Sequence, residues 1–99
     1  MKLQVHSVHF NADQKLIDFV QRKVDKLETF YDRLVGGEVF LRLNNEGGIE
    51  NKTVEIKVNV PGDQLFAKEQ ASSFEEAAGL ATEALRNQLK KFKAKINSN

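Results

Sequence analysis

Nine cations in two segments are the residues whose types and spacing could do chemistry. Arg22, Lys23, Lys26 and Arg33 lie in the first, and Arg86, Lys90, Lys91, Lys93 and Lys95 in the second. That chemistry is neutralisation of phosphates. Lysine serves as a point charge and arginine as a planar fork suited to bidentate contact. The second segment is the sharper signal, because residues 84–99 contain no acid. The chain as a whole is balanced, with 15 basic against 14 acidic residues. Its charge is therefore segregated rather than large, and a cationic helix surface on a balanced protein points to a polyanionic partner.

A plainer reading exists for each strip. Charged faces are usually solvated surface, although Arg22 and Lys26 form a like-charge i,i+4 pair that opposes the helix. Cations near a helix C-terminus also offset its dipole. That needs one or two cations in the last turn, and five spread over three turns go beyond it. Phe19, Phe30, Phe40 and Phe66 could stack bases, as single-strand binders do, or pack at the edge of the core, as aromatics at regular spacing usually do. His6 and His9 have H-x-x-H spacing. On a strand, residues three apart face opposite ways, and no third ligand is near, so the pattern predicts no metal site. Gly47-Gly48 lacks the lysine and serine of a phosphate loop. No set of serine, histidine and acid converges by spacing, so nothing supports catalysis or a cofactor.

These residues need elements to position them. Leu3, Val5 and Val8 read as a short strand, with a bulge near Ser7. Asn11 and Gln14 form a capping-box pattern that opens a helix over 13–31. Ile17, Val20, Val24, Leu27 and Tyr31 are its buried stripe, and Gly36-Gly37 should stop it. Asp18, Asp25 and Asp32 share one edge of that helix, while Lys15, Arg22, Lys26 and Arg33 share another, with Lys23 nearer the apolar stripe.

Val39, Leu41 and Leu43 alternate in a second strand, followed by a polar loop at 44–51. Val54, Ile56, Val58 and Val60 alternate with Glu55, Lys57 and Asn59 in a third, half-buried strand. Pro61-Gly62-Asp63 turns the chain into a fourth through Leu65 and Ala67. Ser73 and Glu76 cap the last helix, which buries Phe74, Ala78, Ala81, Leu85, Leu89, Phe92 and Ile96. Arg86, Lys90 and Lys93 form a strip on one side of that stripe, with Lys91 and Lys95 on the other.

The order β-α-β-β-β-α predicts an α+β fold: a two-layer sandwich of a four-stranded sheet with both helices on one face. The last three strands should form an antiparallel meander. The far sheet face should be wet, carrying Arg42, Glu55, Lys57 and Lys68 together with Phe40 and Phe66. With the helices side by side, their outer surfaces should join into one electropositive ridge, on which Lys26 and Lys93 are both expected to be exposed. Ninety-nine residues make one domain spanning 1–99. No cysteine is present, which removes disulfides and thiolate chemistry and fits a reducing cytoplasm. The N-terminus has no signal-peptide pattern, and no apolar run approaches the ~20 residues that span a bilayer.

The residues also carry a resemblance. Phe19-Val20-x-x-Lys23-x-x-Lys26-Leu27-Glu28-x-Phe30-Tyr31-Asp32-Arg33-Leu34 resembles the first helix of the ribosome hibernation-promoting factors, a family that includes the ribosome-associated inhibitor, or protein Y. Leu85-x-x-Gln88-Leu89-x-Lys91-x-Lys93-x-Lys95-Ile96 resembles its closing helix, and Val60-Pro61-Gly62 before Leu65-Phe66-Ala67 its last hairpin. The likeness runs over essentially the whole chain. It implies a non-enzymatic protein that binds the small ribosomal subunit through 16S rRNA, in the channel of messenger and transfer RNA. Such a protein inhibits translation and stabilises idle ribosomes in stationary phase or stress.

By matching positions, the resemblance makes Lys23, Lys26, Arg33, Lys91, Lys93 and Lys95 RNA-contacting. The charge pattern adds Arg22, Arg86 and Lys90. The chain departs from the family where Ala84 replaces a frequent lysine, Asn87 a frequent arginine, and Phe74-Glu75 a common tyrosine. Its end at Asn99 resembles the short form, monomeric off the ribosome and without a dimerisation domain of its own; short members can favour paired, inactive ribosomes. Neither membrane nor small-molecule substrate is implied. Two other partners stay open on the residues alone: structured RNA in general, or an acidic protein surface.

Overall fold

The computed structural model describes residues 1–44 and 48–96. Strand β1 (Lys2–Val8) leads into helix α1 (Gln14–Asp25), which tightens into a 3-10 turn at Lys26–Thr29. Strands β2 (Gly36–Leu43), β3 (Lys52–Val60) and β4 (Asp63–Ala71) follow, and helix α2 (Phe74–Ile96) closes the chain. The four strands lie in sequence order in one sheet. β1 runs parallel to β2, because α1 crosses back between them, and the last three strands are an antiparallel meander. The β-α-β-β-β-α order and the two-layer sandwich are as expected.

The core is the alternate set of strand residues meeting the helical stripes. Val39, Leu41, Val54, Ile56 and Val58 from the sheet are fully buried against Val20 and Val24 of α1 and Leu85 and Leu89 of α2. Ala77, Ala78 and Ala81 are also fully buried. Their small side chains let α2 lie close on β3 and β4. Tyr31 and Phe92 meet edge to face at 5.5 Å, pinning the far end of the helix pair.

Several boundaries differ from expectation, each for a local reason. The cap of α1 is Asp13, whose carboxylate accepts from Leu16 N–H at 2.8 Å; Asn11 is not the cap. No bulge interrupts β1, which stays in register with β2 throughout. The chain leaves the strand instead at His9, whose φ of 69° makes the turn. Gly36 and Gly37 do not stop α1; they open β2. A Cβ on Gly37 would sit 2.4 Å from the Lys57 carbonyl oxygen, so glycine there lets β2 and β3 approach.

Ile17 is only half-buried. Ile96 is 44% exposed, since α2 runs on past the sheet. The Ser73 cap holds, accepting from Glu76 N–H at 3.1 Å, but the Glu76 carboxylate accepts from the Ser72 hydroxyl rather than closing the box. Gly47 of the predicted loop lies outside the described residues.

Candidate nucleic-acid interface

The site is the seam between the two helices. α2 is tied to the end of the 3-10 turn by Lys93, whose Nζ donates to the Phe30 carbonyl at 2.7 Å. Helix ends leave carbonyls without internal partners, and a lysine from a neighbouring helix satisfies one here. Lys93 is therefore half-buried, not the freely exposed residue expected. Two turns earlier on α2, the Arg86 guanidinium lies over the Phe30 ring at 4.7 Å from its centroid. Its Nη1 donates to Glu83 at 3.3 Å, and its Nε is buried with no hydrogen-bond partner. Phe30 thus serves as a platform, with a cation on its face and a lysine on its carbonyl.

Around that platform lies an open groove of about 250 Å³, lined by Lys23, Lys26, Leu27 and Phe30 from one wall and Gly79, Thr82, Glu83 and Arg86 from the other. Gly79 opens the wall, with nothing within 4 Å of where its Cβ would be. Lys23 leans over the Phe19 ring at 5.6 Å, and Lys26 stands exposed at the rim. A second hollow of about 430 Å³ continues past Phe30, lined in part by Arg33 and Lys93. On α1, the acids of the helix are turned away from Lys23 and Lys26. Asp18 and Asp25 accept from Gln14 and Gln21 one turn back, at 2.9 and 2.8 Å, along a separate edge. Among the described residues, Glu83 is the one acid lining the groove.

The structure gathers some of the nine candidates and separates others. Lys23, Lys26 and Arg86 share the groove, Arg33 and Lys93 the adjoining hollow. Lys90 is exposed on the same strip of α2 as Arg86 and Lys93. Arg22 is exposed beside a different hollow at the start of α1, among Asp13, Lys15, Asp18 and Glu75. Lys91 and Lys95 lie on the other flank of α2. They follow Gln88 by three and seven residues, and Gln88 reaches across to the Phe66 carbonyl on β4 at 2.7 Å.

Two groups of the seam stand out less in the sequence. Phe30 reads there as a base-stacking or edge aromatic, whereas it organises the seam. Glu83 is marked only by its i,i+3 spacing to Arg86. Among the described residues no group of three or more His, Cys, Asp or Glu could hold a metal ion, and no helix is long and apolar enough to cross a membrane.

Residues 3–97 match the profile of the family described as sigma 54 modulation protein / S30EA ribosomal protein. The chain belongs to this family. It is similar to proteins named ribosome hibernation promotion factor from Bacillus subtilis, at 28% identity over 98% of the chain and 51% of the relative, and from Deinococcus radiodurans, at 26% over 93% and 49%. The chain thus spans about half the length of these two relatives. A ribosome hibernation promoting factor of Pseudomonas putida is 26% identical over 99% of the chain and is itself covered to 92%.

Two solved structures share the family's fold. A ribosomal subunit interface protein of Coxiella burnetii superposes with a TM-score of 0.85 at 20% identity, covering 95% of this chain and 99% of the other. The N-terminal domain of Thermus thermophilus protein Y gives 0.81 at 24%, covering 93% and 99%.

Proposed function

We propose that this protein is a ribosome hibernation factor that binds the small ribosomal subunit in the channel of messenger and transfer RNA and silences translation by occupying it. The observation that carries the proposal is the interhelical groove, which Lys23, Lys26 and Arg86 line together with Phe30, with Arg33 and Lys93 in the adjoining hollow. Family membership supplies the ribosome as the polyanion. Lysine and arginine in such a groove neutralise rRNA phosphates and release counterions, which gives affinity without sequence readout. Inhibition is then steric and needs neither a cofactor nor a chemical step. The cytoplasm follows as the compartment, because that is where the partner resides.

Co-sedimentation with purified ribosomal subunits across a salt series tests this. Wild type should pellet stoichiometrically with small subunits, and binding should fall on the order of a thousandfold between ~50 and ~200 mM salt. Lys26→Glu with Lys90→Glu, both exposed, should abolish pelleting while far-UV circular dichroism stays unchanged. Retained pelleting of that double variant at moderate salt would refute the groove as the contact surface. Pelleting with large subunits only, or with none, would refute the partner.

A further inference from the structure

The sheet face turned away from the helices carries binding groups that the groove does not use. His6, Phe40, Lys57 and Phe66 lie one per strand in a row across the sheet. His6 stands opposite Phe40, and Lys57 opposite Phe66. Lys57 is also diagonal to Phe40, whose direct partner is Glu55 two residues away. The His6 ring stacks on Phe40 with centroids 4.9 Å apart and planes 20° from parallel. Lys57 and Arg42 each bring their charge to 5.6 Å from the Phe40 centroid. Phe40 is therefore occupied by its own neighbours and acts as a support.

Phe66 is different. It is 45% exposed and has no ring or cation stacked on it among the described residues. Its backbone is held in place, because its carbonyl accepts from Gln88. A lone exposed apolar residue would be unremarked surface. This one ends a row of cations and rings. The charge of the face is also biased. Glu55 is engaged by Arg42 at 3.0 Å and Lys68 at 3.8 Å, and Glu38 by His6 at 3.1 Å. Lys57, whose direct cross-strand partners are Glu38 and Phe66, has no carboxylate within ion-pair distance among the described residues, and Arg42, Lys57 and Lys68 outnumber Glu38 and Glu55 on this face.

We propose that this face is a second RNA site, one that takes an unpaired strand, stacking a base on Phe66 and setting a phosphate against Lys57. A flat open sheet with an exposed ring suits splayed bases, which a duplex keeps stacked inside itself. The positive surplus matches a backbone of phosphates rather than an acid-poor protein surface. The site lies on the opposite side of the molecule from the helical groove and does not depend on the proposed ribosomal contact.

The test is fluorescence anisotropy with a labelled oligouridylate of ~8 nucleotides at low salt, a length within the range one small fold covers. Wild type should bind. Phe66→Ala and Lys57→Glu should each weaken binding about tenfold. The groove variant Lys26→Glu/Lys90→Glu should stay within about threefold of wild type, and Phe66→Ala should still pellet with small subunits. Phe66→Leu keeps apolar volume without a π-face, so it should bind as poorly as the alanine variant. Wild-type affinity in Phe66→Leu or Phe66→Ala overturns the proposal, as does a larger loss in the groove variant than in Phe66→Ala. Absence of any oligouridylate binding also overturns it, and leaves the face to a protein partner.

Discussion

Lys93 shows how one cation can look functional and be structural first. Its spacing places it on the basic strip with Arg86 and Lys90, which is how the sequence presents it. Its ammonium in fact completes the hydrogen bonding of Phe30, 63 residues away. That distance is invisible to periodicity, because it depends on where the 3-10 turn ends relative to α2. Lys93→Met keeps the aliphatic stem and deletes the donor. A bond from a charged group to a part-buried carbonyl contributes about 1–2 kcal/mol, so thermal denaturation should show a clear drop, while Lys90→Met should leave stability unchanged. A second contact at this scale makes stability depend on pH. The Met1 α-amino group donates to Glu28 at 2.7 Å, and this hydrogen bond, reinforced by the Glu28 charge, raises its pKa above 8.0. The contact therefore contributes fully below the unfolded value and is lost as pH rises through the folded one. Stability measured from pH 7 to 10 should decline through that window, and Glu28→Gln should remove this part of the decline.

At the level of elements, what could be read and what could not divide by mechanism. Strand alternation from Val54 to Val60 and the Ser73 cap were legible because each is a local pattern with one geometric meaning. The end of α1 was not. Gly36-Gly37 resembles a helix stop, yet the helix tightens and ends earlier, and the glycines serve the sheet. A glycine demanded by a neighbouring strand leaves no mark of its own in sequence, because the carbonyl it accommodates belongs to Lys57. Two alanine substitutions separate these roles. Gly37→Ala forces Cβ onto that carbonyl and should destabilise by about 1–3 kcal/mol. Gly79→Ala meets open space in α2 and should stabilise by about 0.5–1 kcal/mol, raising the melting temperature by a few degrees. Equal effects in urea denaturation would contradict the two placements.

For the whole molecule, the decisive feature is that α2 presents cations on two flanks. Lys90 and Lys91 are neighbours in sequence but about 100° apart around the helix. Lys90 shares the strip of Arg86 beside the groove, while Lys91 shares that of Gln88, which leans to β4. A flat or convex polyanion, such as the side of a free duplex, can neutralise one flank and must leave the other in water. A concave channel can close on both. The salt dependence of the proposed small-subunit binding reads this difference, because each phosphate contact adds nearly one to the slope of log affinity against log salt. In the channel reading, Lys90→Ala and Lys91→Ala each lower the slope by about one, and the double variant by about two. A slope that falls for Lys90→Ala but stays at the wild-type value for Lys91→Ala would mean that only the groove flank meets RNA, and occlusion of a channel would then lose its physical basis.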